Sequence, residues 1–576
     1  MGASDFPLTT LDYAAFMSYF IILCFIGYWM GRKKRTHAEE YFLAGKTLPW
    51  YVVGTSFIAS NISSEEVIGM VGVAFVYGIC VAWQEWGSLT YISILMWIYV
   101  PFLLSSKVFT IPEFLERRFN TTLRLLFALA TILSNIFAFL AAVLYGGGLA
   151  LNKLFGWDLW FAIIILGVVA GGWAIYGGLK SVAWTDFFTI IIMIVGGLVV
   201  TVLGLYTLSG DAESLIEGFK VMIERNQGKT GIYAEAVARN AQNMAHVDQY
   251  NRLSVVQPIT HQVLPWPHMC LAFFSVGIWY GILNQFMVQR VLGAKNMYHA
   301  RMGLVLAGYL EFLMPWIVVM PGLILFARLP EVMLLPWDEI RPAADQGYVH
   351  LIQTMVPIGL RGVILASLFG AIQSTVNSVI NSTATIFTLD IYKRHIKPEV
   401  TGRQVVRLGM LSSTAVLVLA IVLAGNISRF GSSLFIYIQT LYAFFGTPFS
   451  AVVTTGLLIR RINAKGATIA VFLGFLFAIV IKLFASLVPD HPPWIEPYSI
   501  QGILTALFSA LVCLLVSFNT APPRPNQVTA ELAFNWSNLN IFNHLGSKWY
   551  KHIALWWLLS VLLIASMGIL FSGKFL

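Results

Sequence analysis

The chain is predicted to fold as an all-α polytopic membrane protein with about fourteen transmembrane helices. Three observations carry that expectation. Of its 576 residues, 58% are hydrophobic and only 11% are charged, and the mean hydropathy is +0.76. No soluble domain of this length hides so much apolar surface. The apolar residues are also gathered into successive runs long enough to cross a bilayer as helices. Finally, the basic cluster Arg32-Lys33-Lys34-Arg35 directly follows the first run and marks a cytoplasmic loop, which places the N-terminus outside.

The spans follow in order, with boundaries good to a few residues. The first, roughly 11–31, has no basic leader before it and is expected to be retained. Met1-Gly2-Ala3-Ser4 resembles the start of a myristoylation signal, but Phe6 occupies the position that signal gives to Ser or Thr, so no acylation is expected. The next runs lie at roughly 51–75, 78–104, 122–150, 157–176 and 183–208. After a long external loop (209–266), whose segment Asp211–Asn226 has the pattern of a short amphipathic helix, come roughly 267–289, 299–327, 359–391, 405–425 and 433–459. Three further runs, roughly 467–486, 498–518 and 552–572, complete the set. The stretch 519–551 opens on Ala521-Pro522-Pro523-Arg524-Pro525 and reads as a linker. An even number of spans leaves both termini outside. The net charge of +9 is then a topology signal, with basic residues concentrated in inside loops, and nucleic-acid binding is not expected. There is no Walker lysine motif, which argues against ATP-driven transport. Cys24, Cys80, Cys270 and Cys513 all lie in apolar runs, without disulfide or metal spacing.

The second run breaks its own pattern. Ser60-Asn61-Ile62-Ser63-Ser64-Glu65-Glu66 falls in its middle, and each charged group at that depth costs a few kcal/mol. Irregular backbone there survives only against protein or a water-filled cavity, and secondary transporters build midplane sites from such broken helices. Other polar residues lie on the membrane path: Gln84-Glu85-Trp86, Asp186, Glu311, and a hydroxyl-rich span in which Ser374, Asn377, Ser378 and Asn381 share a helical face. Hydroxyls and carbonyls in such number suit a hard cation such as Na⁺. Taken singly, Ser and Thr in membrane helices often only bond to carbonyls or glue helices together. Their occurrence alongside a broken span and buried carboxylates favours transport. No nucleophile–base–orienter set is present, so an enzyme is not expected.

At these residues the chain resembles the sodium/solute symporter family, in particular its sodium–glucose cotransporter branch. The matching blocks are 40–49 (EYFLAGKTLP), Ala59 to Ser63, Ile111 to Phe114, Tyr176 to Leu179 with Trp184-Thr185-Asp186, Val288-Gln289-Arg290, Asn381 to Thr388, and Arg461 with Gly466-Ala467. The resemblance implies a LeuT-type five-plus-five inverted-repeat core over residues 51–459. It would be preceded by an extra helix and basic loop (1–50) and followed by peripheral helices (460–576). No internal sequence repeat is detectable.

The same resemblance implies the sites. The main sodium site would take carbonyl oxygens of Ala59, Ile62 and Ala371 and hydroxyls of Ser374 and Thr375. A second sodium site would use Asp186, Ser374, Asn377 and Ser378, with Asn377 standing where Ser or Thr is usual. The sugar site would comprise Asn61, Glu66, Glu85, Ser88, Glu311 and Gln439, with Tyr280 as inner gate and Met70 and Phe435 as outer gate. Three residues depart from sugar transporters: Glu66 stands where Gln or His is typical, Gly277 replaces an Asn, and Glu311 replaces a Lys. Three nearby carboxyls resist joint ionisation, so the site calls for a proton or an amino-bearing substrate. The expected function is sodium-coupled import of a sugar or polyol by alternating access at a plasma membrane, in particular a bacterial inner membrane. Alternatives are a substrate-gated sensor or channel on the same scaffold, or a symporter for an amino-sugar or other small solute with proton linkage. Na⁺ is the expected coupling ion, with no other cofactor.

Overall fold

The computed structural model describes residues 9–32, 36–63, 65–243, 250–426, 434–488, 490–534 and 543–574. These residues are overwhelmingly helical, with only isolated β-bridges besides. Helix satisfies every backbone group within its own segment, which a bilayer demands. Among the described residues, eleven helices are long and apolar enough to cross a membrane. A twelfth is reached if the pair Trp266–Phe274 and Val276–Leu283, bent by 43°, counts as one span. The chain is therefore a multi-pass membrane protein.

Six helices position the site: α1 (Thr10–Gly31), α2 (Trp50–Asn61), α3 (Leu159–Ser209), α4 (Met297–Val318), α5 (Arg361–Ile386) and α6 (Leu434–Leu458). The runs expected at 157–176 and 183–208 are the two helices of α3, which meet at a break at Gly178 (φ 54°, ψ −164°). That φ suits glycine, and a Cβ there would lie 2.4 Å from the Tyr41 carbonyl oxygen. The Tyr41 hydroxyl reaches the carbonyls of Ala174 (3.1 Å) and Ile175 (3.0 Å), supplying donors where the helix is broken.

α3 and α5 pack along much of their length, α4 packs on α2, and α2 lies against α3. The α2–α4 contact is close because both helices present glycine. A Cβ on Gly54 would sit 2.4 Å from the Gly303 carbonyl oxygen, the small-residue approach that membrane helices use in place of a hydrophobic driving force. α1 is tied to the start of α5 by buried Asp12, which accepts N–H bonds from Gly359 (2.9 Å) and Gly362 (3.1 Å). A carboxylate at a helix N-terminus is favourably placed.

The broken segment is as irregular as its sequence. α2 ends at Ile62, whose backbone is extended (φ −78°, ψ 120°). The chain resumes in a wide π-helical turn, Glu65–Met70, and then the helix Val71–Tyr77. Residues of the long loop 209–266 clamp that second half. Buried Arg252 donates to the carbonyls of Val76 and Phe75 (2.7 Å each), and the Tyr250 hydroxyl donates to the Tyr77 carbonyl (3.0 Å). A cation is thus placed on carbonyls at the helix C-terminus. The amphipathic segment of the loop 209–266 forms the helix Leu215–Gln227, followed by Gly231–Asn243.

Candidate substrate and ion site

The break in α2 faces α5. Thr375 on α5 donates its hydroxyl to the Ile62 carbonyl (3.1 Å) and reaches the Ser60 carbonyl (3.5 Å). These carbonyls are left without intrahelical partners because the helix stops at Asn61. Ala59 and Ala371 are fully buried on the same two helices. Ser374 turns toward α3 and donates to Asp186 Oδ1 (2.6 Å), while Ser56 of α2 donates to Asp186 Oδ2 (2.5 Å). Arg290, from the helix Gln285–Leu292, lies 3.6 Å from Asp186 Oδ2 and also donates to Ser56 (3.1 Å), Ser378 and the Phe286 carbonyl. Ser60 and Ser378 share a hydroxyl contact of 2.9 Å. Asn377 points elsewhere in this conformation, its Oδ1 accepting the Ala174 N–H (3.2 Å). The oxygens of α2, α3 and α5 therefore converge on one buried polar seam.

Beside this seam is a cavity lined by Asn61, Glu66, Glu85, Tyr280 and Gln439, all anticipated, and by Gly277. Tyr280 belongs to a π-helical turn, Trp279–Leu283, of the kind often found at functional sites. Its hydroxyl donates to Asn61 Oδ1, and its ring meets those of Phe286 and Tyr442. Glu311 is wholly buried in α4, and its Oε1 accepts from Asn61 Nδ2 (3.4 Å). Ser88 donates to the Glu85 carbonyl (2.6 Å), behind the cavity wall. Met70 is fully buried at the end of its π turn. The Phe435 side chain lies outside the described residues.

Gln84, Tyr91, His268, Phe273 and Tyr498 also line the cavity. His268 Nε2 and Gln84 Oε1 are 3.1 Å apart. Gln84 stood out in the sequence as the neighbour of Glu85. Tyr498 and His268 carried no local signal, since tertiary packing alone brings their helices to the cavity.

A second polar cluster lies where the span of α5 runs on into Phe387–Ile396. Arg124 pairs with Glu116 (2.5 Å) and Asp390 (2.6 Å), Arg394 pairs with Glu116 (2.6 Å), and Thr110 donates to Asp390 (2.9 Å). Partial burial works against the Glu116 charge, but bonds from Arg124, Arg394 and Thr121 outweigh it and hold its pKa down at about 2.

The chain is 32% identical over 559 residues to the sodium/glucose cotransporter of Vibrio parahaemolyticus, covering 94% of this chain and 97% of that protein. It is 29% identical over 564 residues to the human sodium/myo-inositol cotransporter, covering 94% and 78%. The fold matches that of a substrate-bound, outward-open Na⁺-coupled sialic acid symporter with TM-score 0.73 at 19% identity, over 89% of this chain and 98% of that one. Residues 41–474 match the model for the sodium:solute symporter family, and the chain belongs to that family.

Proposed function

We propose that the protein imports a sugar or polyol by sodium-driven alternating access. The observation that carries this reading is the Thr375 hydroxyl on the Ile62 carbonyl, one residue from the cavity-lining Asn61. Sodium is the coupling ion and the protein is a transporter, as its family is. A sodium ion taken up by the carbonyls of Ala59, Ile62 and Ala371 and the hydroxyls of Ser374 and Thr375 would fasten the broken helix to α5 and so set Asn61 against the solute. Hydroxyl-bearing solutes suit Asn61 and Gln439 as hydrogen-bond partners and Tyr280 as an apolar face. A second ion would draw on Asp186, Ser374, Asn377 and Ser378; Ser374 donates to Asp186 (2.6 Å), Ser378 donates to the Ser374 carbonyl (2.7 Å), and Arg290 reaches both Asp186 and Ser378.

The reading extends to topology. Counting both halves of α3, the bent pair and the broken α2 segment as crossings gives about fourteen passages. Ten of them would form a five-plus-five repeat, with both termini outside a bacterial inner membrane.

The test is uptake of labelled glucose and myo-inositol into proteoliposomes under an inward sodium gradient, with choline as control. Accumulation that needs sodium supports the reading. Solute flux that equilibrates without accumulation, with sodium or choline alike, contradicts it.

A further inference from the structure

We propose that the transported solute carries a cationic nitrogen, an ammonium group on a hydroxylated skeleton, received between Glu85 and Glu311. The inference rests on the preceding reading of the cavity as the solute site and names the class of solute it takes. Glu66 and Glu85 line the cavity and, among the described residues, no Lys or Arg does. Glu311 lies behind Asn61, whose Nδ2 donates to its Oε1 (3.4 Å), and its carboxyl group neighbours that of Glu85. Glu85 is 2% exposed and Glu311 is not exposed at all. Oε2 of each accepts from no N–H or O–H among the described residues. Ionised carboxyl oxygens buried in this way require a donor or a cation.

Among the described residues no Lys or Arg side chain is paired with either carboxyl. Arg290, in the helix Gln285–Leu292, is engaged by Asp186, Ser56 and Ser378. His268 Nε2 lies against Gln84 Oε1 (3.1 Å). An ammonium group has three N–H donors and a full charge, and it answers both Glu85 Oε2 and Glu311 Oε2 at once. The hydroxyls of the same molecule then fall to Asn61 and Gln439, and its apolar face to Tyr280.

Thermal stabilisation of the purified full-length protein in sodium tests this with three matched probes: glucosamine at a pH where its amine is protonated, glucose, and N-acetylglucosamine. Glucosamine should stabilise at concentrations about tenfold or more below the other two, the gain typical of a charge-assisted bond. Glu311→Gln should erase that preference. Glu85→Gln removes the same charge from the opposite side and serves if the first variant does not fold. Equal concentrations for glucosamine and glucose, or a preference untouched by either variant, overturn the proposal. So does sodium-driven acidification of liposomes during glucose uptake, which would put a shared proton between the two carboxyls. Failure of the underlying symport reading looks different: stabilisation by any probe would be the same in choline as in sodium.

Discussion

The Arg290 guanidinium lies 3.6 Å from Asp186 Oδ2, and neither side chain has any solvent exposure. Ser56 and Ser374 occupy the two carboxylate oxygens, and Ser378 takes another guanidinium N–H. This buried pair joins α2, α3, α5 and the helix Gln285–Leu292. Its arrangement meets the condition under which a buried ion pair is tolerated: the lone pairs and protons outside the pair are also bonded.

Breaking that pair from one side should therefore be costly. Arg290→Ala leaves an uncompensated buried carboxylate and is expected to destabilise the protein by about 3–5 kcal/mol. The double variant Arg290→Met with Asp186→Leu should lose less than the single one, because both charges leave together. Thermal denaturation in detergent measures both. Strictly additive losses would mean that the two residues are not coupled.

Tyr280 holds Asn61 through its hydroxyl. Tyr280→Phe keeps the ring against Phe286 and Tyr442 but removes that donor from Asn61 Oδ1. Solute affinity should fall by roughly ten- to a hundredfold, matching about 1–3 kcal/mol for a buried acceptor left without its donor. Sodium-dependent stabilisation in the absence of solute should change far less. Isothermal titration with solute and thermal shift with sodium separate the two effects.

The Glu116 cluster predicts a pH dependence. Bonds from Arg124, Arg394 and Thr121 depress the carboxyl from its ordinary value of 4.5 to about 2 when folded. The stability it contributes is therefore complete above about 4.5 and disappears as pH falls through about 2. Glu116→Gln should show a lower melting temperature than the parent at neutral pH. The gap should narrow as pH is lowered across that window. A gap that stays constant would show that the charge of Glu116 does not support the folded state.

Arg252 caps the carbonyl end of the helix Val71–Tyr77 from outside the membrane path. Arg252→Met retains bulk but removes the donors. Buried carbonyls left without them should lower stability by about 1–3 kcal/mol. Hydrogen exchange should localise the loosening to 71–79, and uniform exchange across the chain would argue against a local cap.

Much of this site was legible because membranes make polarity informative. The run from Ser60 to Glu66 could not continue a lipid-facing helix, and the structure ends α2 at Asn61. Ser374 and Ser378 both face the α2–α3 seam, one turn apart on α5. Their neighbour Asn377 was grouped with them by helical spacing, yet its amide reaches Ala174 of α3, because spacing defines a face without saying which partner covers it. The junction at Gly178 was less legible. Residues between the runs 157–176 and 183–208 read as a gap, and the two helices do part there, at the single positive-φ residue Gly178, but without the loop the gap suggested. Tyr498 and His268 reach the cavity from helices distant in sequence, and nothing local to them announces it.

The central claim is that sodium fastens the broken helix to α5. The most direct measurement is the sodium concentration dependence of solute uptake in proteoliposomes for the parent, Ser374→Ala and Thr375→Ala. Each variant removes one proposed oxygen ligand, and Thr375→Ala also removes the contact with Ile62. Half-maximal sodium should rise by about tenfold or more in each, with uptake recovered at high sodium. Parent-like sodium dependence in both variants would contradict the account and move the coupling ion away from the α2 break.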